Sequence, residues 1–262
     1  MLRFSIRRML LIIPGVAFFL AFAGYALRKD HEAMMIARRK ACSHNIHSVG
    51  IALLWYLDTN KTFPAATWSS AELEPPSRLS WFALLLPHLD SRDVYDAVEN
   101  GTPWNAGANA VLANTKLRIA CCPNMPAAAP GSPAPASYIG IAGLGTDAPA
   151  LPASDPRAGI FGYDRKTALS DITDGTSTTM LLAETGLPSG SWLQGGPATA
   201  RGLDPAAKPY IGAEKQFGGM HGAGAWVAMA DGSVRWVEAT IDPKVFEALS
   251  TMAGGEQVPK DW

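Results

Sequence analysis

Most short signatures of common chemistries are missing from this sequence. It has no Gly-x-Ser-x-Gly elbow, no His-Glu-x-x-His pair, no P-loop and no dinucleotide-binding glycine fingerprint. The EF-hand spacing with its closing glutamate is absent too. Cysteine is scarce: Cys42, Cys121 and Cys122 are the only three, enough for one bridge and too few for a disulfide-dense scaffold. There is no excess of basic charge, since the net charge is −1. That argues against a nucleic-acid partner, which calls for a basic stripe. No internal repeat is evident.

What charge there is lies unevenly. Arg3, Arg7, Arg8, Arg28, Lys29, Arg38, Arg39 and Lys40 face only Asp30 and Glu32 in the first forty residues, and the remainder is net acidic. Between the first two basic groups runs Met9 to Leu27 without a charge. As a helix this run spans about 28 Å, close to the thickness of a bilayer core. Arg7-Arg8 and Arg28-Lys29 can reach the two interfaces. The length of the run and the helical sequence after it favour an uncleaved anchor over a signal peptide cut near Ala21-Phe22-Ala23. Counting bases on either side, taken alone, places the C-terminus in the cytoplasm. Hydrophobic residues make up 48% of the chain, ample for one domain core besides the anchor.

Helical periodicity continues to about Leu57. Met35, Cys42, Ile46, Val49, Leu53 and Tyr56 share one face, with His44 and His47 on the other. His44 and His47 read as solvated side chains rather than a metal pair. Asn60 and Phe63-Pro64 end the helix. A short helix broken at Pro87 follows within 79–90, then a helical turn at Tyr95–Glu99 and a short strand at Leu117–Cys122. Residues 123–156, rich in Pro, Ala and Gly, read as a long surface excursion with a strand at Ser137–Ala142 inside it. Asp171 to Ser177 is a turn, Thr178–Ala183 is β-prone, and 186–212 is loop. Asp242 caps a last helix with Pro243 at its first position. Val245, Phe246, Leu249 and Met252 form its stripe, and Gly254-Gly255 stops it.

The strongest local signal is near the C-terminus. Asp231-Gly232 between two apolar runs predicts a hairpin with a two-residue type I′ turn. That register sets Ala230 opposite Ser233, Met229 opposite Val234 and Val227 opposite Trp236. Val227, Met229, Val234 and Trp236 then make a buried apolar face. Trp226, Ala228, Ser233, Arg235 and Val237 form a mixed one. His221 sits in the glycine-rich approach to this hairpin. It is either a ligand or base held by flexible glycines, or a loop-ordering residue bonded to backbone or to a carboxylate. No Cys, His or acid stands near it at ligand spacing, so no metal set, cofactor or catalytic residue is assigned. A Cys42–Cys122 bridge closes a loop of about 80 residues, worth roughly 4–5 kcal/mol in the chain-entropy model. Cys121 is a substitute partner, and three buried free thiols are the other reading. Asp171, Asp174 and Gly175 read as an Asp-Gly turn rather than a Ca²⁺ loop. Glu184 and Asp231 are candidates for a carboxylate pair, and Trp226 either stacks on a sugar or packs under a loop.

These pieces, in this order, resemble the bacterial prepilin-like family of domain of unknown function 1559, known by its H-X9-DG motif. His221 and Asp231-Gly232-Ser233-Val234-Arg235 carry that motif, and Asp171-Ile172-Thr173-Asp174-Gly175-Thr176-Ser177 a second one. Cys42-Ser43-His44-Asn45-Ile46, Phe63-Pro64, Trp81 to Leu89, Cys122-Pro123 and Ala253-Gly254-Gly255-Glu256 match further landmarks. The resemblance implies an α+β, pilin- or pseudopilin-like plan: a long N-terminal helix, its first half transmembrane, packed on an antiparallel sheet. The expected domains are a stub and anchor at 1–28, a helical stalk at 29–60 and a head at 61–262. The resemblance also implies a bacterial inner-membrane protein with an exported C-terminal domain, overriding the charge count. Arg3-Phe4-Ser5-Ile6-Arg7-Arg8 stands where prepilins carry a Gly-Phe-Thr-Leu-Ile-Glu type cleavage motif, so the expectation is a permanent anchor. The expected partners are the bilayer, through residues 9–27, and like helices, through self-association or other pilin-like proteins. The expected role is structural or interactive. The alternatives are an envelope module binding glycan or peptide through Trp226, the 123–156 excursion and the His221 loop, or a hydrolase pairing His221 with Asp231 or Asp171.

Overall fold

A computed structural model describes residues 6–126, 129, 131–187, 190–259 and 262, and side chains from residue 19 onward. Helix α1 runs Ile6–Asn60. The chain divides into two compact units, Met1–Lys40 and Ala41–Trp262. In the first, Phe19, Leu20, Phe22, Tyr25 and Leu27 are exposed on the helix. Among the described residues no helix is long and apolar enough to cross a membrane. The Met9–Leu27 run opens on residues whose side chains lie outside those described.

The second unit is α+β. After the last part of α1 come short helices α2 (Trp81–Leu85), α3 (Arg92–Asp96) and α4 (Gly107–Asn114). The strands are β1 (Tyr138–Leu144), β2 (Met180–Glu184), β3 (Ala200–Leu203), β4 (Gly224–Met229) and β5 (Val234–Glu238), and α5 (Pro243–Ala248) follows. They form one five-stranded sheet in the order β3-β1-β2-β4-β5. The β1–β3 pair is parallel and the rest antiparallel, so the sheet is mixed rather than antiparallel throughout.

Two apolar layers flank the sheet. On one face Cys42, Ile46, Val49, Ala52 and Leu53 of α1 pack with Tyr138, Leu182, Ala228, Trp81 and Phe161. Their spacing is the helical stripe read from the sequence. Helix and sheet lie close: a Cβ placed on Gly50 would sit 3.7 Å from Ala228 Cβ. On the other face Ile139, Ile141, Ala183, Val227 and Met229 pack with Phe246 and Leu249 beside α5. Helix α1 ends where Lys61 takes a positive φ of 64° and its N–H returns to the Leu57 carbonyl at 2.7 Å. At α5 the Asp242 carboxylate accepts from the Lys244 N–H at 2.8 Å, with Pro243 at the first turn.

Several expectations are corrected. Leu117–Cys122 is not a strand, because Arg118–Ala120 closes into a 3-10 turn. The 123–156 stretch is not wholly a surface excursion, since its β1 is an internal, buried strand. The 186–212 loop holds β3 and the buried pair Trp192 and Leu193. The hairpin forms but in a different register: Ala228 pairs with Val234, Val227 with Arg235 and Trp226 with Trp236. Its loop has three residues, with the Gly232 N–H on the Met229 carbonyl at 2.9 Å and Met229 N–H on the Ser233 carbonyl at 2.8 Å. Gly232 alone takes positive φ, at 86°, as in a type I turn followed by a glycine bulge. Asp231 instead accepts from the Ser233 N–H through its side chain at 2.9 Å. The shift moves Val234 to the α1 side with Trp226 and Ala228, and leaves Val227 and Met229 on the α5 side.

Candidate functional site

Four chain segments carry one polar cluster into the layer between α1 and the sheet. Cys42 lies on the buried stripe of α1. Cys122 follows the 3-10 turn, with Pro123 behind it favouring extended backbone. The Cys122 N–H donates to Ser137 Oγ at 2.8 Å. Glu184 ends the apolar strand β2 with no solvent exposure, on the α1 side by the same alternation that places Leu182 there. His221 arrives through the glycine-rich approach. Gly218, at φ 77°, donates to the Glu184 carbonyl at 2.7 Å. A Cβ at Gly218 would stand 2.8 Å from the Gly224 carbonyl, so the approach needs glycine there.

The donor atoms of Cys42, Cys122, Glu184 and His221 all lie within 4.8 Å of one another. The Cys42 thiol donates to Glu184 Oε1 at 2.8 Å. His221 Nε2 lies 3.2 Å from Cys122 Sγ and 3.3 Å from Glu184 Oε1. The side chains of His221 and Glu184 are 1% and 0% exposed. A second ring of partners holds the first. The Tyr138 hydroxyl is 3.1 Å from Cys42 Sγ, the Trp226 N–H donates to Glu184 Oε2 at 3.3 Å, and the Asn124 N–H donates to Cys122 Sγ at 3.4 Å. The Asn124 amide nitrogen lies 3.2 Å from His221 Nδ1 and donates to the Met220 carbonyl at 2.9 Å.

Burial sets the electrostatics, and the partners then divide them. Burial, with hydrogen bonding to Cys122, pushes the Cys42 thiol up. Hydrogen bonding to Cys42, aided by His221, pulls Cys122 down to about 7 against its own burial. Burial works against the charged forms of His221 and Glu184. Hydrogen bonds to Cys122 and Glu184 nevertheless raise His221 to about 9, and those from His221 and Cys42 hold the Glu184 carboxyl low. Burial also lifts the Tyr138 phenol well above its usual range. The cluster thus holds two sulfurs, an imidazole and a carboxylate, a donor set suited to a borderline divalent metal.

The other sequence candidates go elsewhere. Cys42, Cys121 and Cys122 are buried free thiols, the other of the two readings, with the Cys42 and Cys122 sulfurs neighbours. Neither Asp231 nor Asp171 joins His221: Asp231 braces its own turn, and Asp171 Oδ2 accepts from the Ala168 N–H at 2.8 Å. The Glu184–Asp231 pair is replaced by Glu184–His221. The Asp174 carboxylate accepts from Gly254 N–H at 2.8 Å and Gly255 N–H at 3.0 Å, joining two distant sequence landmarks, while Gly175 turns at φ 96°. Trp226 packs edge-on against Trp236, ring centroids 5.2 Å apart. His44 and His47 are exposed. Sequence reading did not connect Glu184, Tyr138 or Asn124 to His221. The available signal was an acid closing an otherwise apolar strand.

Taken together, the fold and cluster define an α+β domain whose leading helix is tied to a mixed sheet through buried polar side chains. Residues 33–244 match the family model described as "Protein of unknown function (DUF1559)", and the chain belongs to that family. No curated protein and no solved structure matches the chain.

Proposed function

We propose that this is a single-pass, prepilin-like envelope protein, held in the bacterial inner membrane by residues 9–27, with an exported head that serves assembly or surface interaction. The observation that carries the reading is the uncharged Met9–Leu27 run between Arg7-Arg8 and Arg28-Lys29, lying within one helix, Ile6–Asn60. The large apolar side chains of Phe19, Leu20, Phe22, Tyr25 and Leu27 are exposed, as a lipid-facing surface would be. The closed character of the Cys42–His221 cluster favours holding the fold over turning over a substrate. Fractionation tests the anchor: the full chain sediments with membranes and resists carbonate extraction, and removal of residues 1–28 releases it. A full chain found in the soluble fraction overturns the anchor. Protease added to spheroplasts cuts the head if it is exported and spares it if it is cytoplasmic. Crosslinking through the helix that captures neither a second copy nor another helical partner removes the assembly role.

A groove favours a second reading, glycan binding. Trp236, Glu238, Thr240, Asp242, Val245 and Trp262 line a concavity of about 540 Å³. Tryptophan faces beside carboxylates suit sugar rings with their hydroxyls. Neither Trp226 nor His221 lines the groove, so the binding surface differs from the one expected on sequence. A screen of envelope glycans in which Trp262→Ala removes binding supports it, and no binding by the intact head ends it.

A further inference from the structure

We propose that Cys42, Cys122, Glu184 and His221 form a closed, four-coordinate zinc site that pins helix α1 to the sheet. The inference is independent of the membrane reading, since all four residues belong to the Ala41–Trp262 unit.

Geometry carries it. With zinc–sulfur bonds of about 2.3 Å and zinc–nitrogen or zinc–oxygen bonds of about 2.0–2.2 Å, the edges of a tetrahedral shell run about 3.3–3.8 Å. Of the six edges, three are 3.2 Å for Cys122–His221, 3.3 Å for His221–Glu184 and 2.8 Å for Cys42–Glu184, and the others lie within 4.8 Å. Of these three, only the last must open appreciably, by about 0.7 Å. Two sulfurs, one imidazole nitrogen and one carboxylate oxygen supply the four ligands of a structural zinc centre, and their burial leaves no open position for substrate. Charge gives the second argument. Two thiols and a carboxylate share one nearly dry space, where isolated anions are costly. A divalent cation lets both sulfurs and the carboxylate be anionic together, the thiol protons being released on binding.

The outer ring fits the same role. Metal-bound histidine normally hands its other ring nitrogen to a hydrogen-bond partner, and metal-bound sulfur and carboxylate are braced from behind. Asn124 faces His221 Nδ1 through its amide nitrogen at 3.2 Å, and the Met220 carbonyl holds that nitrogen in place behind the ring. Tyr138 and Asn124 brace the two sulfurs, and the Trp226 N–H braces the carboxylate oxygen turned away from His221. The competing arrangement is a Cys42–Cys122 disulfide, which consumes both sulfurs and leaves Glu184 to His221 alone.

The test uses the full chain, extracted in detergent and kept reduced. After exhaustive dialysis, elemental analysis finds about one zinc per chain. Exchange with cobalt(II) gives thiolate-to-metal charge-transfer absorption in the near ultraviolet and the visible bands of a tetrahedral ion. Cys121→Ser keeps both signals, whereas Cys122→Ser, Glu184→Gln and His221→Ala each lose metal. Asn124→Ala weakens cobalt affinity about 10–100-fold but keeps the charge-transfer band. Reduced wild-type protein that takes up neither zinc nor cobalt overturns the proposal without recourse to any variant. So does metal that survives Cys42→Ser with Cys122→Ser, or isolated protein whose Cys42 and Cys122 are quantitatively disulfide-bonded and metal-free.

Discussion

Single residues in this head work mostly by closing backbone accounts. Gly232 is the clearest case. It turns at φ 86°, and a Cβ there would meet Leu54 Cδ1 at 2.8 Å. Gly232→Ala therefore combines left-handed strain with a push on α1, and a loss of roughly 1–2 kcal/mol is expected, read as a lower chemical-denaturation midpoint. Asp174 acts over a longer range, because its two backbone bonds hold Gly254 and Gly255. Asp174→Ala should cost about 1–3 kcal/mol, while Asp174→Asn, keeping one acceptor oxygen, should cost less. Equal losses in the two variants would show that the carboxylate's acceptor role is not what matters. At this scale the sequence was informative but incomplete. Asp-Gly identified the hairpin correctly, yet aspartate suits a right-handed turn residue as well as a left-handed one. The pair alone therefore did not separate a two-residue loop from a three-residue one, and the register slipped by one.

At the scale of elements, legibility tracked amphipathic contrast. The α1 stripe and the α5 cap were readable because apolar positions recur at helical spacing and Asp-Pro marks a start. Strand β1 was recognised only in part, since Pro and Ala flank it and two of its residues, Gly140 and Gly143, carry no side chain to show alternation. Packing explains the first of these. A Cβ on Gly140 would lie 2.7 Å from the Phe161 ring, with no positive φ involved. Phe161 is fully buried beside Trp81, ring centroids 5.1 Å apart. Gly140→Ala is thus an overpacking change costing about 1–3 kcal/mol. Phe161→Ala removes the Cγ and Cδ atoms that the new methyl strikes, so the double variant should be more stable than the sum of the two single losses implies, by at least about 0.5 kcal/mol. Strict additivity in urea titrations would place the strain somewhere other than this contact. Strand β3 was missed for a different reason: its parallel pairing with β1 joins segments far apart in sequence, and no hairpin turn announces it.

For the whole molecule, the buried cluster and the cores share a boundary. The four polar residues come from a helix, a turn, a strand end and a glycine-rich loop, so no ligand spacing along the chain could reveal them. Their meeting is a property of the topology. Among the described residues, both apolar layers are likewise built from residues at or beyond Cys42. If burial of apolar surface drives this fold, a chain beginning at Ala41 retains every buried core residue among those described. It should be monomeric without detergent and unfold in one cooperative transition, with a midpoint within about 5 °C of the full chain in detergent, a shift corresponding to roughly 1–2 kcal/mol for a domain of this size. Circular dichroism and near-ultraviolet signals followed through the same thermal scan provide the check. A truncated chain that keeps helical signal but loses its fixed aromatic environment would show that the leading helix is needed for specific packing, and that the division at Lys40 does not mark an energetic boundary.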